Sequence, residues 1–419
     1  MYSTLGHDWG LCIIEFIVGY SNHSNRVIRM FKEFSDLRHI INFKRVIFPI
    51  SIAFFIYTFG WGTTSPIFSI YVQKVTGNLF LTGIVLSMTT VMGIFLNIPL
   101  SILENRMNLK RVLQTVLLIY SALALFYPVA NSFLSLLLVS VARGVASSIL
   151  WLTSWAYVFT YTEKSVKGKE TGFFSDMNDL ASALSPIVGG LVAVVSFFLP
   201  FYLLSLTSLT AFVLVSLYLK ETPKPEKASL KVQMTALWGY MRNRRFVKTV
   251  FLIVVFYALI NVYYSFLSVF LNDEGIPILL IGVILTVALL PAVALEVPMG
   301  NLIDRHGIRK TLAIAASLTV LTGVLMPLSS NLYYTLTIVT AFTVSYTMIF
   351  IVLYSRMSDI MGESKTAMTG ALATFKDLGY TLGPLMAGTL MEFTSIRNTF
   401  FLTGASFALL IPIALLLHD

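Results

Sequence analysis

The chain has 419 residues, of which 57% are hydrophobic and only 12% are charged, with a net charge of +9. Soluble domains carry about a quarter charged residues, so this composition excludes an ordinary soluble protein and indicates a membrane protein. The basic excess lies in short polar breaks between long apolar runs, which argues against nucleic-acid binding, and the single cysteine, Cys12, excludes an intramolecular disulfide.

Residues 1–45 precede the first long apolar run. The apolar piece at 11–20 is too short to cross a bilayer. From Arg26 onward, apolar residues recur at helical spacing opposite basic ones, which predicts an amphipathic helix on the inner membrane surface. Met30 directly precedes most of this helix, and we hypothesise that residues 1–29 are poorly ordered or are not made.

The rest of the chain is predicted to be an all-α membrane protein with twelve transmembrane helices. A bilayer core about 30 Å thick requires about 20 apolar residues per helix, and the runs are continuous rather than alternating, which excludes a barrel. The predicted spans are residues 46–71, 79–103, 110–130, 133–159, 170–194, 199–219, 247–271, 277–303, 309–328, 331–356, 366–391 and 399–417.

A charged stretch with two prolines, residues 220–246, divides these spans into two sets of six. We therefore predict an N-terminal segment at 1–45, an N-terminal six-helix bundle at 46–219, a cytoplasmic linker at 220–246 and a C-terminal six-helix bundle at 247–419. Nearly all of the 29 Lys and Arg residues fall on the side of the N-terminus, whereas the other side has only Lys74 and Arg397. This asymmetry predicts that both termini are cytoplasmic.

The two halves repeat each other. Shifted by 198 residues, the stretch 171–190 of the fifth span matches the stretch 369–388 of the eleventh, including Asp179 with Asp377 and Pro186 with Pro384. Shifted by 199 residues, 99–111 matches 298–310. Two separate blocks at nearly the same offset indicate a duplicated six-helix unit.

The stretch at 298–310, P-M-G-N-L-I-D-R-H-G-I-R-K, resembles the loop signature of the major facilitator superfamily of secondary transporters. Asn105 replaces its acid in the first copy, where Arg106 is retained. The resemblance implies two parallel six-helix halves with a substrate site between them, and an acid, Asp304, that closes the cytoplasmic side against the start of the fifth span. The residues of the second copy that carry the resemblance are Gly300, Asp304, Arg305, Gly307, Arg309 and Lys310.

The fifth span is similar to a glycine- and proline-containing motif of drug:proton antiporters, although Ala181 and Ser185 stand where that motif has glycines. The eleventh span holds a better copy, and Arg143 with Gly144 in the fourth span resembles the arginine-centred motif of the same transporters. Small residues allow helices to approach closely and proline removes a backbone hydrogen bond, so we predict hinges or tight crossings. The residues concerned are Pro186, Gly189, Gly190, Gly379, Gly383 and Pro384.

Charged residues near the bilayer midplane are costly and are usually functional. They allow two interpretations. In one, they neutralise each other in buried pairs that fix helix docking. In the other, a carboxylate in a poorly solvated cavity favours its neutral form and can carry a proton through the transport cycle, while Lys376 could instead bind an anionic substrate. These midplane residues are Arg143, Asp176, Asp179, Lys376 and Asp377.

Glu296 lies nearer the cytoplasmic end of the eighth span, and we interpret it as a gate or packing residue. The resemblance further implies that spans one, four, seven and ten form the cavity walls. Aromatic walls suit organic molecules, and in particular organic cations, although aromatic residues are also common in transmembrane packing. The candidate cavity residues are Tyr57, Trp61, Trp151, Trp155, Asn261, Tyr263, Tyr264, Tyr346 and Tyr354.

The sequence shows no recognisable set of catalytic residues, no metal-ligand cluster and no phosphate-binding loop, so we predict neither an enzyme nor a cofactor. We expect a multi-pass cell-membrane transporter that works as a monomer in the lipid bilayer, driven by a gradient. The leading hypothesis is proton-coupled export of a small organic drug or metabolite. The alternatives are an uptake symporter or facilitator for a sugar or organic anion, and a non-transporting membrane sensor.

Overall fold

The computed structural model describes residues 46–103, 107–162, 167–221, 239, 242–328, 331–361 and 365–415. The predicted N-terminal segment and most of the predicted linker lie outside these ranges. The α-helices, numbered here in chain order, are α1 (Ile47–Thr63), α2 (Phe68–Thr76), α3 (Leu79–Leu103), α4 (Leu109–Phe126), α5 (Phe133–Tyr161), α6 (Lys167–Val195), α7 (Leu199–Tyr218), α8 (Arg244–Asp273), α9 (Ile278–His306), α10 (Ile308–Leu325), α11 (Leu332–Met361), α12 (Lys365–Phe393), α13 (Ile396–Ser406) and α14 (Leu410–Leu415).

These helices fall where apolar runs predicted them. Within the described ranges, nine helices are long and apolar enough to cross a membrane, and the pair α1 and α2 makes a tenth span if it is counted as one. The helix α12 and the run α13–α14 cover the remaining two predicted spans. The chain is thus a multi-pass helical membrane protein, whereas the count of twelve spans and the cytoplasmic termini stay predictions.

The first predicted span is not one continuous helix. The axes of α1 and α2 differ by 42° across a short break that contains Pro66, whose ring cannot continue a regular helix. The hydroxyls of Thr63, Thr64 and Ser65 each donate to the carbonyl three residues earlier, at 2.7, 2.7 and 2.8 Å. These bonds satisfy backbone oxygens at the break, which is a requirement inside a membrane.

Two pairs of helices pack tightly against each other, α3 with α12 and α6 with α9. At the first crossing, a Cβ added to Gly83 would overlap the carbonyl oxygen of Pro384. At the second, a Cβ added to Gly282 would overlap the carbonyl oxygen of Pro186. Gly83 and Gly282 are 199 residues apart and the two prolines 198 apart, so the two crossings are repeats of one another.

The hydrogen bonds at these crossings use hydroxyls at equivalent positions of the repeat. Ser87 Oγ of α3 donates to the carbonyl of Thr381 in α12 at 3.0 Å. Thr286 Oγ1 of α9, which is 199 residues from Ser87, accepts from the backbone N–H of Ile187 in α6 at 2.9 Å. A hydroxyl at the equivalent position of each half therefore links its crossing, although it donates in one crossing and accepts in the other.

The helix α8 lies deep in the protein and carries several of the candidate residues. Its rings at Phe256, Phe266 and Phe270 are almost completely buried. A helix that is apolar all round is surrounded by protein or by lipid, and α8 packs against α12, α11, α13 and α2. Its position at the centre of the C-terminal part allows Tyr257, Asn261 and Tyr264, which lie on one helical face, to contact more than one neighbour.

Candidate functional site

Asp377 of α12 contacts the N-terminal half. Its Oδ2 accepts a hydrogen bond of 2.7 Å from Nδ2 of Asn97 in α3, a residue only 2% exposed. The same oxygen occupies the space that a side chain at Gly93 would fill, close to the hydroxyl of Ser148 in α5. The carboxylate is therefore docked on the other half of the protein through a charge-assisted hydrogen bond.

Asp179 of α6, the counterpart of Asp377 in the repeat, is directed towards the C-terminal half. Its Oδ2 accepts a hydrogen bond of 3.2 Å from Ser175 one turn earlier, and the carboxylate interacts electrostatically with Tyr264 of α8. Asp176 is exposed, whereas Asp179 is half-buried. The two acids predicted to share one helical face thus differ in their surroundings, and among the described residues Asp179 alone is shown with a partner in the other half.

Five tyrosines form a group, and two of them, Tyr264 and Tyr380, interact with these carboxylates. The hydroxyls of Tyr257 and Tyr354 are 3.1 Å apart, and those of Tyr264 and Tyr346 are hydrogen-bonded. The ring centroids of Tyr257 and Tyr380 are separated by 4.8 Å. We call these five residues the tyrosine cluster, which joins α8, α11 and α12.

The tyrosine cluster has an open side. Tyr264 is 50% exposed, although it interacts with Asp179 on one side and with Tyr380 on the other. Tyr380 in turn interacts electrostatically with Asp377. The cluster therefore spans the distance between the two repeated carboxylates with phenol rings and hydroxyls.

Lys376 lies at the edge of the same cluster. Its Nζ is 6.0 Å from the centroid of the Tyr380 ring, the outer limit of a cation-π contact, and its charge acts on the neighbouring Asp377. Sequence reasoning missed Tyr257, Tyr380 and Asn97. Tyr380 lies one turn beyond Lys376 and Tyr257 one turn before Asn261, so helical spacing around the midplane charges would have found both tyrosines.

Two of the predicted cavity residues make packing contacts instead of an open wall. Asn261 Nδ2 donates to the carbonyl of Tyr380 at 2.5 Å, the oxygen that Pro384 leaves without its helical N–H donor. Tyr263 is 2% exposed, and its hydroxyl donates to the carbonyls of Gly323 and Phe400 at 3.3 and 2.9 Å. Tyr263 thereby holds α8 against α10 and α13.

The predicted aromatic wall of the N-terminal half is partly open. Trp61 is 41% exposed and Trp151 is 37% exposed, and Trp151 meets Trp155 edge-on with centroids 6.4 Å apart. Trp155 also packs edge-on against Phe174 at 5.0 Å. Tyr57 is buried instead. The open indole surfaces in this half are therefore those of Trp61 and Trp151.

Arg143 is buried in α5 and is not paired with an acid. The guanidinium lies 4.4 Å from the ring centroid of Phe68 and 5.5 Å from that of Tyr127. Within the described part of the chain, no carboxylate forms an ion pair with it. The buried pairs between Arg143 and the midplane acids, which one interpretation of the sequence required, are absent from this part.

The predicted hinge glycines are sites of close helix approach. A Cβ added to Gly379 would lie 2.6 Å from the carbonyl oxygen of Val254, and one added to Gly383 would lie 2.6 Å from that of Ala258. A Cβ at Gly189 would overlap the carbonyl of Thr63, and one at Gly190 would lie 2.9 Å from that of Ile278. Larger residues at these places would force the helices apart.

The predicted gating motif is more helical than expected. Its first part forms the last turns of α9, which runs to His306, and only Gly307 separates α9 from α10. Gly307 has φ +78°, a conformation that favours glycine. Arg305 and Lys310 are exposed. Asn105 and Arg106 lie outside the described residues, as do the side chains of Glu296 and Asp304, whereas Gly300 is part of α9.

The chain matches the family model described as "Major Facilitator Superfamily" over residues 50–282 and again over 249–419. It is 21% identical over 374 residues to the quinolone resistance protein NorA of Staphylococcus aureus (strain MRSA252), covering 86% of this chain and 94% of that protein. It is also 21% identical over 295 residues to multidrug resistance protein 1 of Bacillus subtilis (strain 168), covering 69% of this chain and 75% of that protein.

Solved structures share the fold. The nucleoside transporter NupG has a TM-score of 0.76 at 12% identity, covering 88% of this chain and 98% of its own. The human organic anion transporter MFSD10 has a TM-score of 0.67 at 14% identity, covering 88% of this chain and 99% of its own. Similarity at these identities establishes a common architecture across proteins that move different compounds.

Proposed function

The chain belongs to the major facilitator superfamily of membrane transporters, and from that premise we propose that it exports a small organic compound in exchange for protons. The observation that carries the proposal is the pair of repeated carboxylates, Asp179 and Asp377. Each is half-buried and each interacts with a residue of the opposite half. The two residues occupy equivalent positions in the repeat.

Contacts between halves are the ones that alternating access must change. When the halves rock against each other, the bond between Asp377 and Asn97 and the contact between Asp179 and Tyr264 are stretched or broken. A carboxylate that loses its hydrogen-bond donor in a poorly solvated place favours its protonated form. Proton binding at these acids is in this way linked to the conformation of the protein, which is the basis of coupling.

Two features support an aromatic, neutral or cationic compound as the substrate. The open ring of Tyr264 with its neighbours, and the exposed indoles of Trp61 and Trp151, offer aromatic faces from both halves. Aromatic faces bind planar organic molecules and organic cations. The names of the two curated relatives, which refer to quinolone and multidrug resistance, agree with this class.

Proteoliposomes test the proposal directly. The purified chain is reconstituted with an imposed proton gradient, and a quinolone or an aromatic organic cation is added while internal pH is recorded. We expect substrate-dependent collapse of the gradient, and we expect the double substitution Asp179→Asn with Asp377→Asn to abolish it. The matched control is Glu221→Gln, which removes a carboxylate from an exposed ion pair with Arg111.

Three outcomes would contradict the proposal. Collapse that is unchanged in the double variant would exclude these acids as the coupling residues. Uptake of a nucleoside, sugar or organic anion in the absence of any response to the aromatic compounds would favour the symporter or facilitator. Substrate binding without movement of substrate or protons would favour a sensor.

A further inference from the structure

The starting point is the enclosure of Arg143. This side chain, in the first half of α5, is only 6% exposed, with its guanidinium over the rings of Phe68 and Tyr127. Phe68 is the first residue of α2, and Tyr127 directly follows α4. Aromatic faces attract a cation, but they accept no strong hydrogen bonds and carry no net charge. The positive charge is therefore enclosed, and no described carboxylate neutralises it.

Three buried hydroxyls surround the same place. The oxygens of Tyr120, Tyr127 and Ser140 are each buried and each has no hydrogen-bond partner. Tyr120 and Tyr127 interact electrostatically with Arg143, and Ser140 lies beside the hydroxyl of Tyr127 and one turn before Arg143 in α5. Such unpaired groups are rare in proteins because each costs free energy when it is removed from water.

All four side chains offer hydrogens. The guanidinium has five N–H donors and no acceptor, and each hydroxyl donates one hydrogen. A hydroxyl can also accept, and Tyr127 lies beside Ser140 as Tyr120 lies beside Tyr57, but among the described residues none of the three oxygens has a partner in regular hydrogen-bond geometry, Arg143 included. A water molecule would satisfy some of the hydrogens but would leave the charge uncompensated. An anion would satisfy both requirements.

We propose that Arg143, Tyr120, Tyr127 and Ser140 bind one small monovalent anion of halide size inside the N-terminal half. The small size follows from the depth of the site, because Arg143 is only 6% exposed and the three hydroxyl oxygens are buried. The anion compensates the charge of Arg143 and joins α4 to α5. The site is separate from the proposed coupling acids, and its occupancy does not require that protons drive transport.

Thermal unfolding of the full chain in detergent tests the site without a transport measurement. Chloride replaces gluconate, a larger anion, at constant ionic strength. We expect the unfolding midpoint to rise with chloride concentration and to saturate, and bromide to act similarly. Arg143→Gln is expected to abolish the rise. Bromide anomalous scattering from crystals is expected to give a peak in contact with the guanidinium.

A conservative variant keeps the test informative if Arg143→Gln fails to fold. The double substitution Tyr120→Phe with Tyr127→Phe preserves both rings and the charge but removes two hydrogen-bond donors. We expect it to weaken chloride binding roughly three- to tenfold for each hydroxyl that is lost. The matched control is Tyr202→Phe, which removes an exposed hydroxyl and should leave the chloride response unchanged.

Three results would overturn the proposal. The first is a wild-type midpoint that is equal in chloride and in gluconate. The second is a chloride response that survives intact in the double phenylalanine variant. The third is stabilisation by benzoate as strong as that by chloride, which would identify the site as part of a path for organic carboxylates.

Discussion

The crossing of α3 and α12 predicts that a single methyl group shifts the balance between conformations. In Gly83→Ala, the new Cβ would overlap the carbonyl oxygen of Pro384, which is backbone and cannot rotate away. Overpacking of this kind costs about 1–3 kcal/mol. The cost is present only while the two helices remain packed, so states in which they separate gain about 5- to 150-fold in population.

Electron paramagnetic resonance distances between two spin labels measure this shift. Lys74 and Glu392 are exposed, at the same end of the two halves, and each is replaced by cysteine in a Cys12→Ser background. We expect Gly83→Ala to move the distance distribution towards longer values than in the parent protein. Gly172→Ala is the matched control, because a Cβ at Gly172 meets no atom within 4 Å.

Two results would refute this reasoning. If Gly83→Ala and Gly172→Ala gave the same distances and the same thermal stability, the close approach at Gly83 would carry no energetic weight. If Gly83→Ala only lowered the unfolding temperature and left the distances unchanged, the crossing would be a fixed packing contact. In that case α3 and α12 would not separate during transport.

Further predictions concern the gating motif, the docked acid and the packing of α8. Asp304→Asn is expected to slow transport in proteoliposomes more than Asn105→Ala. Only the acid supplies a negative charge to a helix N-terminus, and that interaction is worth about 0.3–1 kcal/mol. Equal, negligible losses of transport in the two variants would show that the motif is only a turn. Asn97→Leu removes the donor to Asp377, a charge-assisted bond worth about 1.5–3 kcal/mol. A carboxylate without its donor holds its proton more tightly, so the pH profile of proton-coupled exchange is expected to move to higher pH, and an unchanged profile would contradict the docking. Tyr263→Phe leaves two carbonyls without their donor and is expected to lower stability by about 0.5–1.5 kcal/mol in thermal unfolding, with substrate specificity unaltered; a change of specificity would place the residue in the substrate path.

The helices and their repeat were predictable because membrane spans are read from hydropathy over many residues. The predicted second span, 79–103, coincides with α3, and most other boundaries differ by only a few residues. The break between α1 and α2 was missed although Pro66 signals it. The apolar run continues through the break, so hydropathy alone does not separate the two helices.

The partners of the midplane charges were not predictable. Arg143 lies among aromatic rings and Asp377 is bound to Asn97, whereas the sequence suggested pairing among opposite charges. Which side chains meet depends on the rotation of each helix and on where it crosses its neighbours, and a single sequence does not encode these quantities locally. Asn97 was therefore overlooked, although a buried asparagine in an apolar span is itself unusual.

The motif of the fifth span shows that the sequence of one helix does not determine how closely a second helix can approach it. Ser185 stands where the antiporter motif has glycine, yet the close approach is preserved, because the facing residue in α1 is Gly62. In the other half the glycine lies on the motif helix instead, where Gly383 of α12 faces Asn261 of α8. A close contact needs one small residue, and either helix can provide it.

The break between α1 and α2 makes the first span a two-part element. The oxygens of Gly60, Trp61 and Gly62 are satisfied by hydroxyls next to the break, so α2 can change its angle without exposing unpaired backbone to lipid. The carbonyl of Ser65, inside the break, accepts a hydrogen bond of 3.2 Å from Ser268 of the other half. The nine-residue helix α2 is thereby attached at its start to α8, so a change in the angle between α1 and α2 would be coupled to movement of α8.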